Sequence, residues 1–145
     1  MKKSRFQFRR PCLQEFSFTE NKEFDKNVKN VKLRNFLSTR IKKDDKKPFA
    51  FVELEVELKA VETDTPFDLR AVVVTEFMWD GIEDDSQIDK MLKINAPALL
   101  VSYLRPLISQ VTGFSHFPPY DLPFFNFTED IDAGVEFLND DNNQG

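Results

Sequence analysis

Phe49-Ala-Phe-Val-Glu-Leu-Glu-Val-Glu-Leu58 is the stretch on which the fold turns. Val52, Leu54, Val56 and Leu58 fall on one side and Glu53, Glu55 and Glu57 on the other. That period of two predicts a strand in a sheet with one wet face. After the turn Thr63-Asp64-Thr65-Pro66, the run Phe67–Phe77 repeats it, with Phe67, Leu69, Ala71 and Val73 on one face. The two runs form an antiparallel hairpin in which Arg70 supplies a basic neighbour for the glutamates. Upstream, Val31–Ile41 reads as a further strand, with Val31, Leu33, Leu37, Thr39 and Ile41 on one side. The connection before it, Asn21–Asn30, is polar. Arg5–Phe8 alternates as well, and the pattern returns at Phe16 and Phe18 beyond Pro11–Leu13, as one bent strand or two.

Downstream of the hairpin and an acidic loop, Trp79–Ser86, the period changes. Ile88, Met91 and Leu92 predict a short helix, which Asn95-Ala96-Pro97 interrupts. Leu100, Tyr103, Leu104, Leu107 and Val111 then follow at helical spacing, with Pro97 in the first turn, where its missing N–H costs nothing. Pro106 falls inside this helix and Gly113 is placed to cap its end. Phe114–Phe127 contains Pro118, Pro119 and Pro123 and has no periodicity, so it reads as an ordered extended loop packed by its own rings. Thr128 is a suitable N-cap, followed by Glu129 and Asp130 and an apolar stripe of Ile131, Val135 and Leu138 on a short helix. Residues 1–138 read as one domain and residues 139–145 as a disordered acidic tail.

Composition narrows the function classes. The 145 residues include 16 phenylalanines but one tryptophan and two tyrosines, so the apolar mass is concentrated in rings. A chain of this size buries a core without disulfides or metals, and Cys12 has no partner for a disulfide. No apolar run approaches the length of a signal peptide core or a membrane span, which makes the cytoplasm the expected compartment, with no membrane insertion. Net charge is −5, with 15 Lys/Arg against 6 Asp/Glu in residues 1–48 and 5 against 19 in residues 49–145. The basic half carries no nucleic-acid motif, and its pairs Lys42–Lys43 and Lys46–Lys47 flank Asp44–Asp45 in a turn. Nucleic acid is therefore not the expected partner.

Catalytic patterns are missing. The single histidine, His116, sits beside Phe117 and Pro118 as a packing or capping residue. There is no Gly-x-Ser-x-Gly elbow, and four glycines leave no phosphate-cradling loop. Arg9 and Arg10 lie near Cys12, but no histidine is near it in sequence. Asp84–Asp85 and Asp140–Asp141 lack the spacing of a calcium loop. The expectation is a binding protein, not an enzyme, with no cofactor and no metal.

The run Pro97-Ala-Leu-Leu-Val-Ser-Tyr103-Leu-Arg105, then Gly113, then Phe117-Pro-Pro-Tyr-Asp-Leu-Pro-Phe-Phe-Asn-Phe127 resembles the SecB family of export chaperones. Phe6-x-Phe8 and Phe16-Ser17-Phe18 are similar to that family's first strand. The resemblance implies an α+β fold, a four-stranded antiparallel sheet with two helices packed on one face. It implies a homotetramer built as a dimer of dimers. It further implies an ATP-independent holdase that binds unfolded polypeptides, including preproteins for Sec-dependent protein export and transport. On that reading the client-binding residues are Leu107, Val111, Phe117, Tyr120, Leu122, Phe124, Phe125 and Phe137. Glu15 and Glu20 are the candidates for docking the SecA motor.

The chain departs from that pattern at Thr19, Asp68 and Arg70, where the family has acidic, apolar and acidic residues. A reversed sign at Arg70 argues against docking on SecA. It favours an alternative, a dedicated chaperone of one partner such as the antitoxin of a toxin–antitoxin system. A carrier of a small apolar ligand, using the aromatic residues as a pocket, is the second alternative.

Overall fold

Strict alternation at residues 49–58 makes this segment a strand with one wet face, and the sheet is built outward from it on both sides. A computed structural model of the chain describes residues 2–25, 27, 31, 33–59, 65–128 and 135–138. Strand β4 (Phe49–Lys59) pairs antiparallel with β5 (Phe67–Trp79), from Phe49 opposite Met78 to Leu58 opposite Leu69. On its other side it pairs with β3 (Arg34–Lys43), from Arg34 opposite Lys59 to Lys43 opposite Ala50. The far edge of β5 carries β1 (Phe6–Phe8) and β2 (Cys12–Glu20) in succession. Pro11, buried between them, has no N–H for the ladder and breaks the strand in two. A bulge between Leu13 and Glu15 shifts the register again. The three residues Val135–Phe137 form β6, parallel to β3 on its outer edge.

One face of this sheet is covered. Val52, Leu54 and Val56 of β4, Ala71 of β5 and Ile41 of β3 are fully buried on it, with Phe67 and Phe77 nearly so. Against them lie α1 (Asp85–Lys90), a wide turn (Met91–Asn95) and α2 (Ala96–Gly113), running on as one helical rod. Asp84 caps the rod by accepting the Ser86 N–H. The wide turn exists because of Pro97: the Ala96 N–H reaches back to the Met91 carbonyl, a five-residue step, just where the ladder loses the next donor. Ile88, Leu92, Leu100, Leu104 and Ile108 form the buried stripe of the rod.

Several expectations are corrected. Among the described residues the sheet has six strands rather than four, because Pro11 divides the first and β6 adds another. One long helix lies on the sheet, since Asn95-Ala96-Pro97 widens the helix without ending it. The expected C-terminal helix is not formed at Val135–Phe137. Val135 and Phe137 instead place alternate side chains beside Thr39 and Ile41, where an edge strand offers unpaired backbone groups. Thr128 is described, but its role as an N-cap, with Glu129, Asp130 and Ile131, rests on residues outside those described. So do most of the turn before Phe67 and the tail 139–145. Gly113 is the last helical residue and Phe114, in right-handed geometry, is the cap. The buried stripe runs through Leu100, Leu104, Ile108 and Thr112, while Tyr103 is 47 % exposed. Apolar residues flank this helix on both sides, so spacing alone does not fix which row faces the sheet.

Candidate functional site

The aromatic loop after α2 is held by polar ties before any ring is considered. Thr112, fully buried, donates its hydroxyl to the Ile108 carbonyl at 2.7 Å and accepts the Tyr120 N–H at 2.7 Å. The Tyr120 hydroxyl donates to Asn35 Oδ1 on β3 at 3.1 Å. Arg105 Nε donates to the Leu122 carbonyl at 2.9 Å. Gly113 lets the loop close: a Cβ there would stand 3.3 Å from Pro119 Cγ. With three prolines limiting φ, the segment has little freedom left to lose on binding.

The rings then divide into two groups. Phe117 stands edge-on to Phe24, centroids 5.3 Å apart, and both Phe117 and Tyr120 lie 6.4 Å from Phe67. Phe18 joins this cluster, 5.2 Å from Phe67. Beside it lies a depression of about 650 Å³ lined by Glu20, Asn21, Lys22, Phe24, His116 and Phe117. Beyond Leu122, Phe124, Phe125 and Phe127 run along the other flank of α2. With Ala98, Val101, Ser102 and Arg105 they form a cleft of about 60 Å³. Phe124 is 88 % exposed, its outer side free and the Arg105 guanidinium 4.4 Å from its ring centre.

The expected client residues are therefore not one patch. Phe117 and Tyr120 meet through Phe67, and Phe124 and Phe125 line the cleft. Leu107 and Val111 are half-buried on α2. Leu122 is fully buried, so it anchors the loop and lines no surface. Phe137 lies on β6, with the Lys93 ammonium 5.3 Å from its ring, at a separate depression that also touches Trp79, Ile82 and Ile88. Phe127 and Phe24 belong to the site although spacing did not single them out; Phe127 carried a signal as the last ring of the aromatic run. Phe8 and Tyr103, 6.3 Å apart and edge-on, form a further exposed pair between β1 and α2.

On the sheet's other face, charge is arranged around Arg70. It pairs with Glu15, with Glu55 at 3.2 Å and with Glu57 at 3.6 Å. The hydrogen bond that Arg70 donates to Glu15, aided by the field of Glu55, raises the guanidinium pKa further above its ordinary value. Glu55 and Glu57 share a hydrogen bond that raises the first carboxyl and lowers the second. Glu15 is thus committed to an ion pair within the chain. Glu20 accepts the His116 main-chain N–H at 3.2 Å and stands 3.0 Å from its Nδ1, and the main-chain bond is the chief cause of its lowered pKa. Both expected docking carboxylates lie on β2, and both hold other parts of the molecule. Among the described residues no group of three or more His, Cys, Asp or Glu could hold a metal ion, and no helix is long and apolar enough to cross a membrane.

No protein-family model matches this chain, and no curated protein matches it significantly. Solved structures do. The SecB-like chaperone Rv1957 of Mycobacterium tuberculosis, in complex with a ChAD peptide from the HigA1 antitoxin Rv1956, superposes with a TM-score of 0.68. The two are 15 % identical over 83 % of this chain and 91 % of that one. A protein of unknown function from Streptococcus agalactiae matches with a TM-score of 0.52, at 15 % identity over 82 % of this chain and 97 % of that one. The fold of this chain, a mixed α+β sheet with one long helix across it, is SecB-like.

Proposed function

We propose that this chain is a cytoplasmic chaperone that holds apolar stretches of non-native polypeptides without nucleotide. The observation that carries the reading is the cleft between α2 and the loop. Phe124 is exposed there and Phe125 and Phe127 are half-buried, and the stretch of loop leading into them is tied to the body at Tyr120, by Thr112 and Asn35, and at Leu122, by Arg105. Partly exposed rings on a restrained loop give sequence-tolerant contact at low entropic cost, which suits a client that is defined by its apolar content. A small-ligand carrier fits less well, because four of the six residues lining the depression of about 650 Å³ are polar or charged. The reading includes assembly as a tetramer of two dimers. Light scattering of a chemically unfolded client, diluted with and without the chain and without nucleotide, tests it. Suppressed aggregation is expected; full aggregation at equimolar chain would sink the reading.

A second reading, service to one dedicated partner such as an antitoxin, is favoured by the Arg70 cluster. The glutamate available for a motor dock at Glu15 is consumed by an ion pair, and Arg70 puts a cation in its midst. The structural neighbour in complex with an antitoxin peptide supports the same direction. Titration separates the two: a dedicated chaperone binds one partner segment far more tightly than generic unfolded protein and does not bind SecA.

A further inference from the structure

Strand β3 is ten residues long, yet among the described residues its outer edge is paired only at Thr39–Ile41, by the three residues of β6. This is the one parallel pairing in an otherwise antiparallel sheet of described strands. Its hold is slight. Parallel pairing is somewhat weaker per residue, and a three-residue strand offers few bonds; one more comes from the Leu138 N–H to the Ile41 carbonyl at 2.8 Å. Val135 and Phe137 stay half-buried and Leu138 is 37 % exposed. Phe137 sits at the rim of a depression of about 450 Å³ that Trp79, Ile82 and Ile88 also line.

We infer that the outer edge of β3 is a docking edge for an extended segment of a non-native polypeptide, and that β6 is the chain's own competing occupant. The occupant displays what the edge accepts. It runs parallel to β3, places apolar side chains at alternate positions over Thr39 and Ile41, and sets an acidic residue, Glu136, in register with Arg40. A client segment with that alternation could add along β3 as a strand and take the main-chain bonds that β6 now takes. The chain's own segment lowers apparent client affinity by the fraction of time it occupies the edge. This rests on the polypeptide-holding reading proposed above.

The test uses the full chain and a fluorescent peptide of residues 134–139, Gly-Val-Glu-Phe-Leu-Asn. In the V135D/F137D variant the internal strand is unseated, so peptide and unfolded client should both bind roughly tenfold more tightly than to the native chain. Amide exchange along β3 should quicken in that variant and slow again when peptide is added. The milder E136K variant, which sets a lysine beside Arg40, should move both readouts the same way, and it decides the matter if the double variant does not fold. Equal or weaker peptide binding by the variants, or no slowing of β3 exchange by the peptide, overturns the inference. Tighter peptide binding with no unfolded client bound by any form would leave the strand exchange standing and sink the chaperone reading instead.

Discussion

Thr112 shows how one side chain can set a surface it does not belong to. Its hydroxyl both donates to the Ile108 carbonyl and accepts the Tyr120 N–H, inside the molecule. Thr112→Val keeps the volume but leaves that N–H without a partner, a loss of about 1–3 kcal/mol. Urea unfolding should show it as a lower midpoint with an unchanged slope. Glu20 acts on the same loop from the other side. Its pKa is lowered in the folded chain, so its contribution is fully present above the ordinary glutamate value of about 4.3. It is lost as pH falls through the lower folded value. Amide exchange at His116 and Phe117 should therefore quicken in acid below that window, and E20Q should show the quickened exchange at neutral pH already. Arg70 carries the opposite lesson. Arg70→Ala leaves Glu15, Glu55 and Glu57 facing one another, so thermal melting should fall at pH 7 and recover toward the native value as the carboxyls protonate. An equal loss at pH 7 and in acid that protonates the carboxyls would mean that packing, not charge, explains the effect.

At the scale of elements, the aromatic loop separates anchoring from display, and two truncations tell them apart. Leu122→Ala removes a fully buried side chain and should cost about 2–5 kcal/mol of stability. Phe124→Ala removes an exposed ring and should leave melting almost unchanged while weakening client binding several-fold. The same variants show what the sequence made legible. The hairpin β4–β5 was readable because its period of two is unbroken, and the loop was readable because prolines exclude regular structure. The face of α2 was not, because Tyr103, Leu107 and Val111 form a second apolar row beside the one that packs on the sheet. The C-terminal strand was not either. Val135, Phe137 and Leu138 fit a helical stripe and a strand alternation equally, and only the bare edge of β3 decides between them. Of the eight residues expected to bind client, Leu122 is fully buried and the other seven are exposed or half-buried, and their division between two flanks of α2 and β6 depends on where the loop crosses the helix end.

At the scale of the whole molecule, the central proposed surface is the cleft between α2 and the aromatic loop, which Thr112 and Arg105 tie to the body at Tyr120 and Leu122. Hydrogen exchange of the full chain with and without an excess of an unfolded client, in the absence of nucleotide, tests this most directly. The account predicts slowed exchange along Ala98–Arg105 and through Phe124–Phe127 when the client is present, with the open sheet face around Arg70 unchanged. Slowing confined to the Arg70 face, or no slowing at all at saturating client, would contradict it.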